Sequence, residues 1–137
     1  MSDIVALTRL RLVEMTPVTT LVGTKVYSGI LPQSFAPPAV LVQRVGEVQS
    51  GHLRGGNTLR MTRVQVTSVG STRAEAAAVD EAVEGDGAGS GLSHWRGGIG
   101  SPATQVQWSE PSGVVEDYTA GELKQFRFIR DFRMHHR

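Results

Sequence analysis

Residues 39–69 read AVLVQRVGEVQSGHLRGGNTLRMTRVQVTSV. From Ala39 to Val48, Val40 and Val42 alternate with Leu41, Gln43 and Val45, the two-residue period of a strand covered on both faces near its start. Ser50 to Asn57 (SGHLRGGN) is a turn region with three glycines. From Thr58 to Val69 the alternation resumes, with Val64 and Val66 on one face and Arg63, Gln65 and Thr67 on the other. Two alternating runs around a glycine-rich turn predict a β-hairpin. Strands of about 11 residues span about 35 Å, twice the common length. A chain of 137 residues cannot cover such a hairpin along its whole length, so the 50–57 tip is expected to project.

Working outward, Ser2 or Asp3 can cap a helix running to about Met15. Ile4, Leu7 and Leu10 lie at helical spacing, and Val5, Leu12 and Val13 make the helix apolar on more than one side. Thr16-Pro17 opens a short helical turn that Gly23 closes, and Lys25 to Ser28 is extended. Thr72-Arg73-Ala74-Glu75 is a capping box, followed by an Ala-rich helix to Glu84 with Ala76, Val79 and Val83 as its buried stripe. Asp80 and Glu84 are read as its solvent face. The segment 85–100 holds seven glycines and is expected to project as a loop. Thr104 to Trp108 reads as a third strand, Glu110 to Gly121 as turn formers and acids, and Leu123 to Met134 as the last strand. In that strand Phe126, Phe128, Phe132 and Met134 share one face, and Arg127, Asp131 and Arg133 the other. The predicted fold is a single α+β domain over 1–137. It has a mostly antiparallel four-stranded sheet with a long β-hairpin, flanked by two helices in the order α-β-β-α-β-β.

Composition narrows the chemistry. The absence of Cys removes disulfide frameworks, thiolate catalysis and Cys-ligated metals. No basic region followed by an apolar run opens the sequence, so no secretory signal is expected. The longest uncharged stretch, Val26 to Gln43, carries Pro32, Pro37 and Pro38 and does not read as a membrane helix. Phosphate-loop, dinucleotide, nucleophile-elbow and zinc-protease motifs are all missing. His52 and His94 lie in loops, and His135-His136 lacks a carboxylate at ligand spacing. The expectation is a protein with no catalytic site, cofactor or metal. Net charge is +1, but it is sorted: +4 over residues 1–70, −7 over 71–123 and +4 over 124–137. Such sorting suits either pairing within the chain or complementarity between subunits.

The order of these elements carries a resemblance. A leading helix is followed by Leu21-Val22-Gly23-Thr24-Lys25-Val26-Tyr27, then Pro32-Gln33 and Pro37-Pro38-Ala39-Val40-Leu41-Val42. A hairpin, a capped Ala-rich helix, a glycine-rich segment and an Arg/Phe strand complete the chain. This arrangement resembles the tail-completion or tail-terminator proteins of long-tailed bacteriophages and gene transfer agents; the glycine-rich segment is longer than the connection expected there. The resemblance implies a virion protein of the tail or neck, assembled in the host cytoplasm. It would form a homohexameric ring on the head-proximal end of the tail tube, ending tube polymerisation. Its partners would be itself, the tail tube protein and a head-completion, stopper or connector protein, with DNA in transit through the lumen and no membrane. Within that frame His52, Leu53 and Arg54 at the hairpin tip, with Arg127 and Arg133, are expected at protein interfaces. Glu110, Glu116, Asp117 and Glu122 are expected toward the lumen. The alternatives are a head-completion or stopper protein of the neck, or a small cytoplasmic nucleic-acid-binding module, which the basic strand Lys124 to Arg137 also suits.

Overall fold

The computed structural model describes residues 4–30, 36–50, 59–85, 91–92, 97–99, 104–119 and 125–136. In chain order these form α1 (Ile4–Glu14), α2 (Thr16–Val22), β1 (Val26–Ser28), β2 (Ala39–Ser50), β3 (Leu59–Gly70), α3 (Arg73–Glu84), β4 (Gly97–Ile99), β5 (Thr104–Thr119) and β6 (Gln125–His136). Four long strands, β2, β3, β6 and β5, are the body of an α+β fold. The short β1 and β4 lie at its two edges, giving the order β1-β2-β3-β6-β5-β4.

Three expectations are corrected. The sheet is mixed rather than mostly antiparallel, because β1 runs parallel to β2 while the other neighbours pair antiparallel. The α-β-β-α-β-β order omitted two short strands and the helix α2. The third strand does not stop at Trp108; β5 continues to Thr119, and a register shift between Pro111 and Val114 absorbs the turn-forming Pro-Ser-Gly. Proline and glycine punctuate turns in an isolated chain, but at a bulge they fit inside a strand.

The hairpin is long, with β2 and β3 paired from Ala39↔Val69 to Ser50↔Leu59. Its expected tip, 50–57, lies outside the described residues except Ser50. A register shift between Arg44 and Gly46 leaves Val45 as the extra residue.

One face of the sheet carries the core. Val40 and Val42 from β2, Val64 and Val66 from β3, and Phe132 and Met134 from β6 pack on Ile4, Val5 and Leu12 of α1, Val18 and Val22 of α2, and Val79 and Val83 of α3. The alternation puts these strand residues on one side and leaves Arg63, Gln65, Asp131 and Arg133 on the other. The two-sided character of α1 is only partly used: Ile4, Val5, Leu7, Thr8 and Leu12 are buried, while Leu10 is exposed.

Local signals act as expected with small shifts. Thr72 caps α3, accepting a hydrogen bond from the Glu75 amide at 3.1 Å. The Glu75 carboxylate reaches back one residue beyond the cap, accepting from the Ser71 amide at 2.9 Å. Gly23 and Gly85 end α2 and α3 at φ +62° and +82°, where a side chain is disfavoured. Met15 rather than Thr16 precedes α2, so Thr16 and Pro17 occupy its first turn, where the missing proline N–H costs nothing. Within the glycine-rich segment, Leu92 is fully buried in the core and its amide donates to the Val83 carbonyl at 2.9 Å.

Candidate assembly surfaces

Strand β6 is the basic strand of the sequence, and its pleat divides its charges between two environments. Arg130 shares parity with Phe128 and Phe132, so it enters the helix-covered side. There its guanidinium makes a two-pronged bond to Asp80 of α3, Nε to Oδ1 at 3.1 Å and Nη2 to Oδ2 at 2.8 Å, with Glu84 at 3.3 Å. The Arg130 and Asp80 side chains are only 12% and 7% exposed. The hydrogen bonds that Arg130 donates to Asp80 raise its pKa above the ordinary value against the opposing effect of burial, so Arg130 stays charged.

This corrects the reading of Asp80 and Glu84 as a solvated face. Asp80 follows Val79 on the flank of the apolar stripe, and β6 places an arginine beneath it. The missed signal was Arg130 itself, a charge in phase with Phe128 and Phe132. Phe128 is buried as well, with the Arg73 guanidinium 5.6 Å from its ring centre, a cation–π contact joining α3 to β6.

The opposite face presents Arg127, Asp131 and Arg133 of β6 beside Gln65 and Arg63 of β3. Arg63 bridges Asp131 at 2.8 Å. On the other side of β6, the register sets Glu110 opposite Arg133 and Asp117 opposite Arg127. The register therefore brings Arg133 and Arg127, expected at an interface, level with Glu110 and Asp117, expected at a lumen. Glu116 is opposite Phe128. Glu122 and the hairpin-tip residues His52, Leu53 and Arg54 lie outside the described residues.

Among the described residues two concavities open to solvent. One lies between the helices, lined by Arg11, Glu14, Met15, Pro17, Glu81 and Ala82. The other is a notch at the end of β1, lined by Val5, Ser28, Gly29, Gln43 and Arg44. Among the described residues no three His, Cys, Asp or Glu side chains cluster to hold a metal ion. Among the same residues no helix is long and apolar enough to cross a membrane.

Comparison with known proteins agrees with this architecture. Residues 6–93 match the family described as tail completion protein gp17. No curated protein matches the sequence. Among solved structures, a chain of the "Virion of native gene transfer agent (GTA) particle" shares the fold, with a TM-score of 0.58 at 14% identity over 98% of each chain.

Proposed function

From the premise that this chain belongs to the tail completion protein gp17 family, and so is a structural tail protein of a virion, we propose that it closes the head-proximal end of a tail tube as a ring of identical subunits. The ring ends tube polymerisation and joins the tail to the head connector, and DNA passes through its lumen. The family match over 6–93 carries this reading. The fold shared with a chain of a gene transfer agent virion is consistent with it.

The charge pattern refines the reading. Glu110 and Asp117 are read as lumen residues, and Arg133 and Arg127, which the β5–β6 register sets opposite them, as residues turned toward the neighbouring subunit. Arg63 is bridged to Asp131 beside Arg133, and the acids assigned to the lumen would leave its wall acidic or neutral rather than basic. A strongly basic wall would bind phosphates and release counterions, holding DNA tightly at low salt. An acidic or neutral wall lets DNA pass. The hairpin tip, with His52, Leu53 and Arg54, contacts a partner protein.

Native mass measurement, followed by imaging of the protein mixed with tail tubes, tests the reading. A closed oligomer on one tube end is expected. Binding to filled heads but not to tubes would move the protein to the stopper position of the neck. Submicromolar DNA affinity with a steep salt dependence between about 50 and 200 mM would overturn the acidic or neutral lumen.

A further inference from the structure

The two short edge strands sit at opposite ends of the sheet. β1 pairs with Val40–Val42 at the start of β2, and β4 with Thr104–Val106 at the start of β5. Following the register across the sheet, Val40 lies level with Ser68, Phe128 and Glu116. Val106 lies at the other end, level with His136 and Arg60. Among the described residues each edge is therefore half covered: β2 continues through 43–50 and β5 through 107–119. Among the described residues no strand pairs with the outer side of either stretch. Open edges present backbone N–H and C=O groups that need partners.

The directions match too. β1 runs parallel to β2 and β4 antiparallel to β5, while β2 and β5 are themselves antiparallel through β3 and β6. It follows that β1 and β4 point the same way. We propose that, in the ring, β1 of one copy and β4 of its neighbour lie end to end in a single row between that copy's β2 and the neighbour's β5. β1 then pairs antiparallel with the open stretch of β5, and β4 parallel with the open stretch of β2. This rests on the ring reading above and names the contact that builds it.

The notch above β1 is shaped for such an occupant. At Gly29, φ +89° turns the chain out of the row; its amide donates to the Val42 carbonyl at 3.0 Å, and Gln43 Nε2 donates to its carbonyl at 2.9 Å. Among the described residues no strand fills the row beyond. Ile30 and Val45, 81% and 47% exposed, add apolar surface beside this edge. A second copy of this chain fits because the two half-edges complement each other in position and direction, and a contact between unlike patches repeats around an axis to closure. The irregularities at Arg44/Gly46 and Pro111/Val114 discourage unspecific edge pairing and favour one register.

The chain has no cysteine, so introduced thiols react only with each other. Ser28 and Val114 are level, through Val42, Val66 and Arg130. They lie on strands four spacings apart, roughly 19 Å, beyond the about 7 Å that a disulfide tolerates between Cα atoms. In the double variant Ser28→Cys/Val114→Cys, mild oxidation should yield a ladder of covalent oligomers ending at the ring size, with Ser28→Cys/Glu116→Cys sampling the next register on that face. In the unmodified protein, amides 26–28 and 114–119 should exchange more slowly in the assembled state than after dilution to monomers. An oligomer by native mass with neither a ladder nor assembly-dependent protection overturns the edge contact and leaves the ring standing. A monomer at every concentration overturns the ring and the contact with it.

Discussion

Arg130 and Asp131 are neighbours in the chain, and each belongs to an Arg–Asp bridge of 2.8 Å, but the bridges lie on opposite faces of one sheet. Arg130–Asp80 is closed under α3, while Arg63 and Asp131 are 47% and 23% exposed. Equal geometry does not mean equal consequence. Under the helix, losing one partner strands a charge in a poorly solvated site, a loss of about 3–5 kcal/mol. On the open face water replaces the partner and salt screens the attraction, so the pair is worth about 0–1 kcal/mol. The covered face holds the fold together, while on the other face the half-exposed Arg63 and its bridge to Asp131 carry little of the stability.

The comparison can be broken most forcefully at Phe132, fully buried in the core on the covered face. Phe132→Ala is expected to destabilise by about 3–5 kcal/mol, read by urea denaturation, and a loss below 1 kcal/mol would remove that face from its structural role. Asp80→Ala should cost about 3 kcal/mol, toward the lower end of the range because Glu84 stands 3.3 Å from Arg130 as a partial substitute. Replacing both partners, Asp80→Leu with Arg130→Met, should recover much of that loss, since no unpaired charge remains; no recovery would mean that the pair does more than satisfy itself. Thr72→Ala should cost about 1 kcal/mol by releasing the Glu75 amide at the start of α3. The smallest effect belongs to the open face. Arg63→Ala should change stability by less than about 1 kcal/mol, with the difference vanishing in high salt, and a large salt-insensitive loss would show the two faces to be alike.

Much of the fold was legible in local pattern. The hairpin announced itself by period two on both sides of a glycine-rich turn, and α3 by its cap, its apolar stripe and Gly85. The end of the third strand was misread because Pro111 and Gly113 stop a strand in isolation, whereas pairing with β6 carries it past them through a bulge. The short β1 and β4 had too few residues to show a period, and only neighbouring strands make them strands. Asp80 was assigned to solvent because a helix reports its own faces and not what lies beneath them. At the candidate surface, the residue types were legible but their register was not: β5 and β6 pair Glu110 with Arg133, Asp117 with Arg127 and Glu116 with Phe128.

Sequence alone therefore determined the elements whose signals are local, namely caps, periodicity and glycine stops, together with the sorting of charge along the chain and a resemblance carried by element order. Tertiary structure decided which charges meet. Strand register is a long-range choice, settled by the burial of Val64, Val66, Phe132 and Met134 against the helices, and a slip of one residue would turn every side chain to the opposite face. Once that apolar face is buried, the positions of Arg130 beneath Asp80 and of Arg127 and Arg133 beside the acids of β5 follow from the pleat.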